Sequence, residues 1–330
     1  MDMVPVWLIV VIKSLVVLLI VITTFAYSML FERKILGWMQ LRPGPDRVGP
    51  WGMLQPAADA VKMFFKEDLT PKNADPVIYK LAPFISLITA MGAFAIIPFS
   101  ESSAGLWAVG NVDAGILYIF ALTSISVYGI TLAGWASSSK YPLLGSIRST
   151  AQMISYELAM TLSVVGVLIM AGTTSLSGIV HAQYNLWFIA PQFLGFLIYL
   201  TTAVAETNRA PFDLVEAETE LVGGFHTEYS GLRFGLFFIA EYLNMITVSC
   251  LATLLFLGGW SAPLGLTMVP GIVWFVAKAG VFLFIYMWLR GTLPRLRYDR
   301  LMAFGWKVLL PVATLNLIVT SAVIAFRGGV

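Results

Sequence analysis

The chain has 330 residues, of which 58% are hydrophobic and 12% charged, about half the roughly 25% charge of soluble domains. Mean hydropathy is +0.84, and net charge is +2 from 20 basic and 18 acidic side chains. These figures exclude a soluble globular enzyme, a disordered protein and a secreted disulfide scaffold, and leave a polytopic membrane protein.

Eight apolar stretches have the ~20 residues that a bilayer-crossing helix needs: about 4–31, 77–99, 114–136, 150–172, 187–206, 236–259, 270–290 and 305–326. Several end at Pro98, Pro142, Gly172, Gly259, Pro270 or Pro294. The N-terminus lacks a basic start and a small-residue cleavage site, so the first stretch reads as a retained span. The predicted fold is all-α, one membrane domain over 1–330 with eight transmembrane helices. Of the 20 basic residues, all but Lys13, Lys278 and Arg327 fall on the odd-numbered loops and their flanks. The positive-inside rule then makes those loops cytoplasmic, or matrix-facing in an organelle, and puts both termini outside. Two inner loops are long, about 32–76 and 207–235, and they hold most of the polar chemistry.

The first long loop opens with Glu32-Arg33-Lys34 and continues through Arg42-Pro43-Gly44-Pro45-Asp46-Arg47-Val48-Gly49-Pro50. Its prolines and glycines exclude a continuous helix there. Next comes an amphipathic helix, with Leu54, Ala58, Val61 and Phe65 on one face and Gln55, Asp59, Lys62 and Lys66 on another. Pro56 is tolerable in its first turn. Such a helix either packs at the membrane surface or forms the lip of a lateral opening, and its pattern does not separate the two.

The second long loop carries six carboxylates within 23 residues: Glu206, Asp213, Glu216, Glu218, Glu220 and Glu228. One arginine, Arg209, lies among them. A charge run usually means a solvated loop. Here Leu214, Val215, Ala217, Leu221, Val222 and Phe225 are interleaved with the charges, which points to a segment partly folded into protein. Crowded carboxylates in such a setting repel one another, so some hold a proton near neutral pH and can exchange it when charge appears nearby.

Charged groups also enter the spans: Lys13, Glu157, Glu241 and Lys278. A mid-bilayer charge costs ~2.5–3.5 kcal/mol on insertion scales, so each is a functional signal by default. Lys13 is the weakest, because a lysine can snorkel to an interface. The structural alternative is interhelical pairing of Lys278 with Glu157 or Glu241. The seventh loop packs Arg295, Arg297 and Arg300 into six residues, suited to lipid phosphate or to an acidic partner.

Redox and nucleotide chemistry find few ligands. The single cysteine, Cys250, cannot form an internal disulfide or hold an iron–sulfur cluster alone. His181 and His226 fall in loops on opposite sides, which argues against a haem held between them. Neither G-x-G-x-x-G nor a P-loop occurs.

Several segments together resemble one family: Glu32-Arg33-Lys34-Ile35-Leu36-Gly37, Arg42-Pro43-Gly44-Pro45-Asp46-Arg47-Val48-Gly49, Phe64-Phe65-Lys66-Glu67, Gly134-Trp135-Ala136-Ser137, Ala205-Glu206-Thr207-Asn208-Arg209, Pro211-Phe212-Asp213, Glu228-Tyr229-Ser230-Gly231 and Pro294-Arg295-Leu296-Arg297-Tyr298-Asp299. They are similar to the quinone-chamber membrane subunit of respiratory complex I, the H-subunit family of bacterial NADH:quinone oxidoreductase. The likeness runs from about residue 27 to 310.

The resemblance implies a non-redox subunit in a bacterial inner membrane. It would contact peripheral-arm quinone-site subunits, antiporter-like membrane subunits and lipid, but no nucleic acid. The chain would bind no cofactor itself. Quinone would be the substrate, with iron–sulfur clusters, FMN and NADH in partner subunits. The first span, the amphipathic helix and the sixth and seventh spans would frame the quinone entrance. Glu157, Glu206, Asp213, Glu216, Glu218, Glu220, Glu228 and Glu241 would form an acidic path, with Arg33, Arg42, Arg209 and Phe212 at the chamber or junction. Where the family has a further carboxylate on the third span, this chain has Tyr118, Ser124 and Tyr128. Competing readings are the equivalent subunit of an energy-converting hydrogenase and a stand-alone secondary transporter. The absence of inverted repeats and paired broken spans weighs against the transporter.

Overall fold

A computed structural model describes residues 6–102, 105–213, 223–263, 269–326 and 328. The elements are helices α1 (Val6–Met39), α2 (Gln55–Phe65), α3 (Pro76–Ala93), α4 (Gly115–Ala136), α5 (Lys140–Ala171), α6 (Leu176–Ala182), α7 (Phe193–Glu206), α8 (Gly231–Phe256), α9 (Gly271–Thr292), α10 (Tyr298–Phe304) and α11 (Leu310–Phe326). A two-residue antiparallel pair, β1 (Glu101–Ser102) and β2 (Gly105–Leu106), closes the loop after α3. A five-residue π turn over Gly305–Leu309 joins α10 to α11, so 298–326 forms one apolar rod.

Among the described residues, seven helical segments are long and apolar enough to cross a membrane, so the protein is an integral membrane protein by length and composition. The predicted stretch 187–206 is different. Pro191 halts the helix, Gln192 precedes its first turn, and α7 has only 14 residues. At 1.5 Å per residue it spans about 21 Å, less than the ~30 Å hydrocarbon core.

Other boundaries also shift. α1 continues through Glu32, Arg33 and Lys34 to Met39, so the first loop begins near residue 40, not 32. At 34 residues this helix is about 50 Å long and carries those charges past the apolar layer. α5 begins at Lys140 instead of 150, because Pro142 sits in its first turn and removes no intrahelical bond. Its polar residues Ser146, Ser149 and Gln152 are buried against protein. Glu157 therefore lies near the middle of a 32-residue helix.

α8 is the hub. From Leu243 to Phe256 nearly every side chain is buried, as expected for a helix apolar all round and enclosed by neighbours. α3, α5, α7 and α9 pack around it, with Tyr199, Val248 and Phe256 in the core. α1 is the opposite case: most of its apolar side chains, from Trp7 to Ile22, remain exposed. α2 lies across the end of the bundle that carries the two long loops, the loop end of the molecule. It turns Asp59 and Met63 inward and leaves its apolar face uncovered, with Phe65 87% exposed.

The proline-rich piece before α2 folds back on α1. Lys34 Nζ donates to the Trp51 carbonyl. Gly52 is required there: its φ is +73°, and a Cβ would fall 2.1 Å from the Pro45 oxygen.

Candidate functional site

The charged side chains that sequence places in separate segments meet at the loop end. Asn208 follows the last turn of α7, with φ of 51°, and turns the chain so that Arg209 points back between α1, α8 and α9. Arg209 is 5% exposed and Glu32 3%. Arg209 Nη1 donates to Glu32 Oε1 at 2.9 Å, and Nε lies 2.6 Å from Glu241 Oε1. Its guanidinium stands 4.3 Å from the centre of the Tyr242 ring. Arg290, near the end of α9, also donates to Glu32. Glu241 and Glu32 hold the Arg209 guanidinium well above its ordinary range, against the opposing effect of burial. Removing one member would leave an uncompensated buried charge, which costs about 3–5 kcal/mol.

Beside this cluster is a cavity of ≈ 50 Å³ whose walls combine polar groups with apolar side chains, among them Met153, Phe225 and Phe237. Ser86, Ser126, Glu206, Asn208, Asp213, His226, Glu241 and Asn244 line it. A space of this size and polarity accommodates a small number of ordered waters. Glu206 is fully inside, at the last residue of α7, and among the described residues its Oε2 has no hydrogen-bond partner. Glu157 is close enough for its charge to act on Glu206. Ser124 of α4 donates to Glu157, so a hydroxyl of the third span reaches the acid that the sequence places in the fourth.

Gln152 fixes the frame. Its Nε2 donates to the carbonyls of Ala205 at 2.8 Å and Phe212 at 2.9 Å. One amide thereby ties the end of α7 to the turn that carries Asp213. The Phe212 ring packs against Tyr156 at 5.7 Å. Glu228 offers its backbone carbonyl to the Tyr79 hydroxyl at 2.7 Å, and Tyr79 stacks on Tyr229 with ring centres 4.1 Å apart. Arg233, paired with Asp68 at 2.8 Å, lies over the Tyr79 ring. These contacts clasp the segment after α2 to the start of α8.

The predicted site residues thus separate into groups. Glu206, Asp213 and Glu241 share the cavity, Glu157 lies within electrostatic range of Glu206, and Arg209 bridges Glu241 to Glu32. Arg33 instead pairs with Asp59 of α2 at 2.8 Å, joining α1 to the amphipathic helix. The Arg42 side chain donates to its neighbour Gln40 and stays on the surface. Glu216, Glu218 and Glu220 lie outside the described residues.

Lys278 pairs with neither Glu157 nor Glu241. Its Nζ donates to the carbonyls of Leu257, Gly259 and Ser261 at 2.7–2.9 Å, capping the end of α8, and sits 4.4 Å from the Trp187 ring centre. His181 lies in α6 at the opposite end of the bundle, 3.3 Å from Glu101.

Two further residues belong to the site without standing among the sequence-predicted site residues. Glu32 is the anchor of the ion cluster, and its partner Arg209 is 177 positions away. His226 lines the cavity; burial pushes its imidazole down to about 4, against the opposing pull of Asp213. Among the described residues, no three His, Cys, Asp or Glu side chains gather as a metal site.

A second cavity, ≈ 580 Å³ and open at the side of the bundle, runs between α1 and α9. Leu19, Tyr27, Phe31, Leu283, Phe284 and Met287 give it apolar walls, with Thr23, Thr24 and Ser28 as polar points.

A polytopic helical membrane protein with a carboxylate-lined cavity and a buried ion cluster at one end is the class that fold and site define. The family model described as NADH dehydrogenase matches residues 12–321. The chain is 50% identical to an NADH-quinone oxidoreductase H subunit of Symbiobacterium thermophilum, over 96% of this chain and 97% of that one. It is 54% identical to the NADH-quinone oxidoreductase H subunit of Deinococcus deserti, over 97% of this chain and 84% of that one. With the corresponding H subunit of Syntrophotalea carbinolica it shares 53% identity, over 97% and 98%. The chain belongs to the NADH dehydrogenase family.

Proposed function

We propose that this chain is the quinone-chamber membrane subunit of a proton-pumping NADH:quinone oxidoreductase. Its relatives are named as subunits of an NADH-quinone oxidoreductase, and the chain spans most of their length. In this reading it carries no redox centre. NADH, FMN and iron–sulfur clusters belong to peripheral-arm subunits, and antiporter-like subunits adjoin it in the membrane. Eight crossings of one membrane domain, with α7 and the 187–192 segment together as the fifth, put both termini on the outer face of a bacterial inner membrane. The basic loop end then faces the cytoplasm.

The observation that carries the coupling role is the cavity joining Glu206, Asp213 and Glu241 beside the Arg209–Glu32 bridge. Charge that develops on quinone in the chamber changes the field at these carboxylates. A buried carboxylate without its own cation responds by taking or releasing a proton, whereas a paired one responds by changing partners. Glu206 fits the first role, and Glu241 with Arg209 the second. Glu157, Glu216, Glu218, Glu220 and Glu228 extend the same path. Arg33, Arg42 and Phe212 belong to the junction around it. The apolar groove between α1 and α9 suits the isoprenoid tail of quinone, and α2, with its uncovered apolar face and its Arg33–Asp59 tie to α1, suits the lip of that opening.

The test is purification of the assembly from its native membrane, followed by labelling with a photo-reactive quinone analogue. Label on α1, α2 or α9 together with NADH-driven quinone reduction supports the reading. Label confined to other subunits removes the chamber role.

A further inference from the structure

His226 lies on the short turn Gly224–His226, held close to α5 because Gly145 has no side chain: a Cβ there would fall 2.8 Å from Gly224 Cα. Three aromatic rings surround the imidazole. Phe225, Phe234 and Phe238 meet it edge-on, with centres 5.0, 5.2 and 6.2 Å away. The imidazole also lines the cavity, where the titratable neighbours are Glu206, Asp213 and Glu241. No lysine or arginine is among the described residues lining that cavity. The imidazole is partly buried and, among the described residues, makes no side-chain hydrogen bond. The aromatic cage would be satisfied by a phenyl ring. An imidazole there adds one thing only, an N–H and a lone pair on the same small ring.

We propose that His226 is a proton-passing residue between Asp213 and Glu206. This rests on the coupling role proposed above. One ring nitrogen takes a proton from the Asp213 side of the cavity, directly or through water, as the other releases its proton toward Glu206. The ring ends neutral in the other tautomer, and returns by rotation. The low affinity of this imidazole for a proton suits passage without storage: burial disfavours the cation, so the ring does not trap the charge.

The experiment uses the assembled complex in proteoliposomes carrying His226→Phe, with His226→Gln as the second variant should the first not assemble. Phe keeps the aromatic packing and removes proton exchange, while Gln keeps polarity toward the cavity. The proposal expects NADH-driven turnover and proton uptake to fall by about tenfold or more in either variant, with the solvent deuterium isotope effect on turnover rising above wild type. Wild-type turnover in an assembled variant overturns it, and so does a slower rate with an unchanged isotope effect. Glu206→Gln, measured alongside, separates the two levels. If Glu206→Gln is slow and His226→Phe is fast, the relay fails and the acidic path stands. If both are fast, the path itself fails.

Discussion

Lys278 and Arg209 are both cations buried in an apolar helical protein, and they are held in opposite ways. Lys278 gives its three protons to the backbone carbonyls of Leu257, Gly259 and Ser261. Those acceptors are backbone carbonyls of the turn that follows α8, which carry no titratable charge, so the contact is a fixed cap. Arg209 donates to Glu32 on α1 and pairs with Glu241 on α8, side chains that can rotate and change charge. A buried cation on carbonyls holds structure, and one on carboxylates can report a change in their protonation. The two ends of the bundle differ in this way, and substitutions at each end are expected to fail differently.

The largest effect falls on the carboxylate-held cation. Arg209→Met leaves Glu32 and Glu241 without their shared partner and is expected to destabilise the protein by about 3–5 kcal/mol. Loss of assembled complex on native gels checks this; wild-type amounts of assembly would show that the cluster is not a unit. The next concerns pH. His226 in the folded chain binds a proton only near pH 4, whereas unfolded it does so near 6.5. The unfolded segment is therefore protonated first as pH falls, and local stability is full above about 6.5 and lost progressively between there and 4, by up to about 3 kcal/mol. Hydrogen exchange of the Gly224–Gly231 amides, corrected for intrinsic rates, is expected to speed up over that window in wild type and to stay flat in His226→Phe.

Lys278→Met is expected to cost less, about 1–3 kcal/mol, because three carbonyls lose their donor while no ion is stranded. Its thermal inactivation should quicken, with the ratio of protons pumped to NADH oxidised unchanged. A changed ratio would move Lys278 from cap to coupling element. Asp59→Asn is the smallest. The Arg33–Asp59 pair is partly exposed, worth about 0.2–1 kcal/mol, and its loss is expected to loosen α2 from α1. Faster proteolysis within residues 40–70, without loss of assembly, reads that out.

The apolar spans and α2 are legible in the sequence because a bilayer or its surface demands long apolar runs and a spacing of three and four. The limits of α5 and α7 are harder to read, for reasons of context. Pro142 looks like a terminator but sits where a helix tolerates proline, and Ser146, Ser149 and Gln152 look like loop residues but face protein. Pro191 stops α7 inside a run apolar enough to be counted whole. At the site, the abundance of carboxylates is visible in the sequence but the pairing is not. Glu32 sits beside Arg33 and Lys34 in sequence, yet its partners are Arg209 and Arg290, brought in by two other segments. Pairing with an acid is the natural expectation for a lone intramembrane lysine such as Lys278, and the end of α8 supplies carbonyls in its place. His226 carries no motif of its own, and only the three-dimensional neighbourhood of Glu206, Asp213 and Glu241 gives it meaning.

In the proposed function, the carboxylates at the loop-end cavity handle protons during quinone reduction. Glu206→Gln tests this most directly, because the amide keeps shape and hydrogen bonding and removes only the exchangeable charge. In the reconstituted complex, the account predicts normal assembly with NADH-driven quinone reduction and proton pumping both reduced by about tenfold or more. Wild-type turnover with wild-type protons pumped per NADH would contradict it.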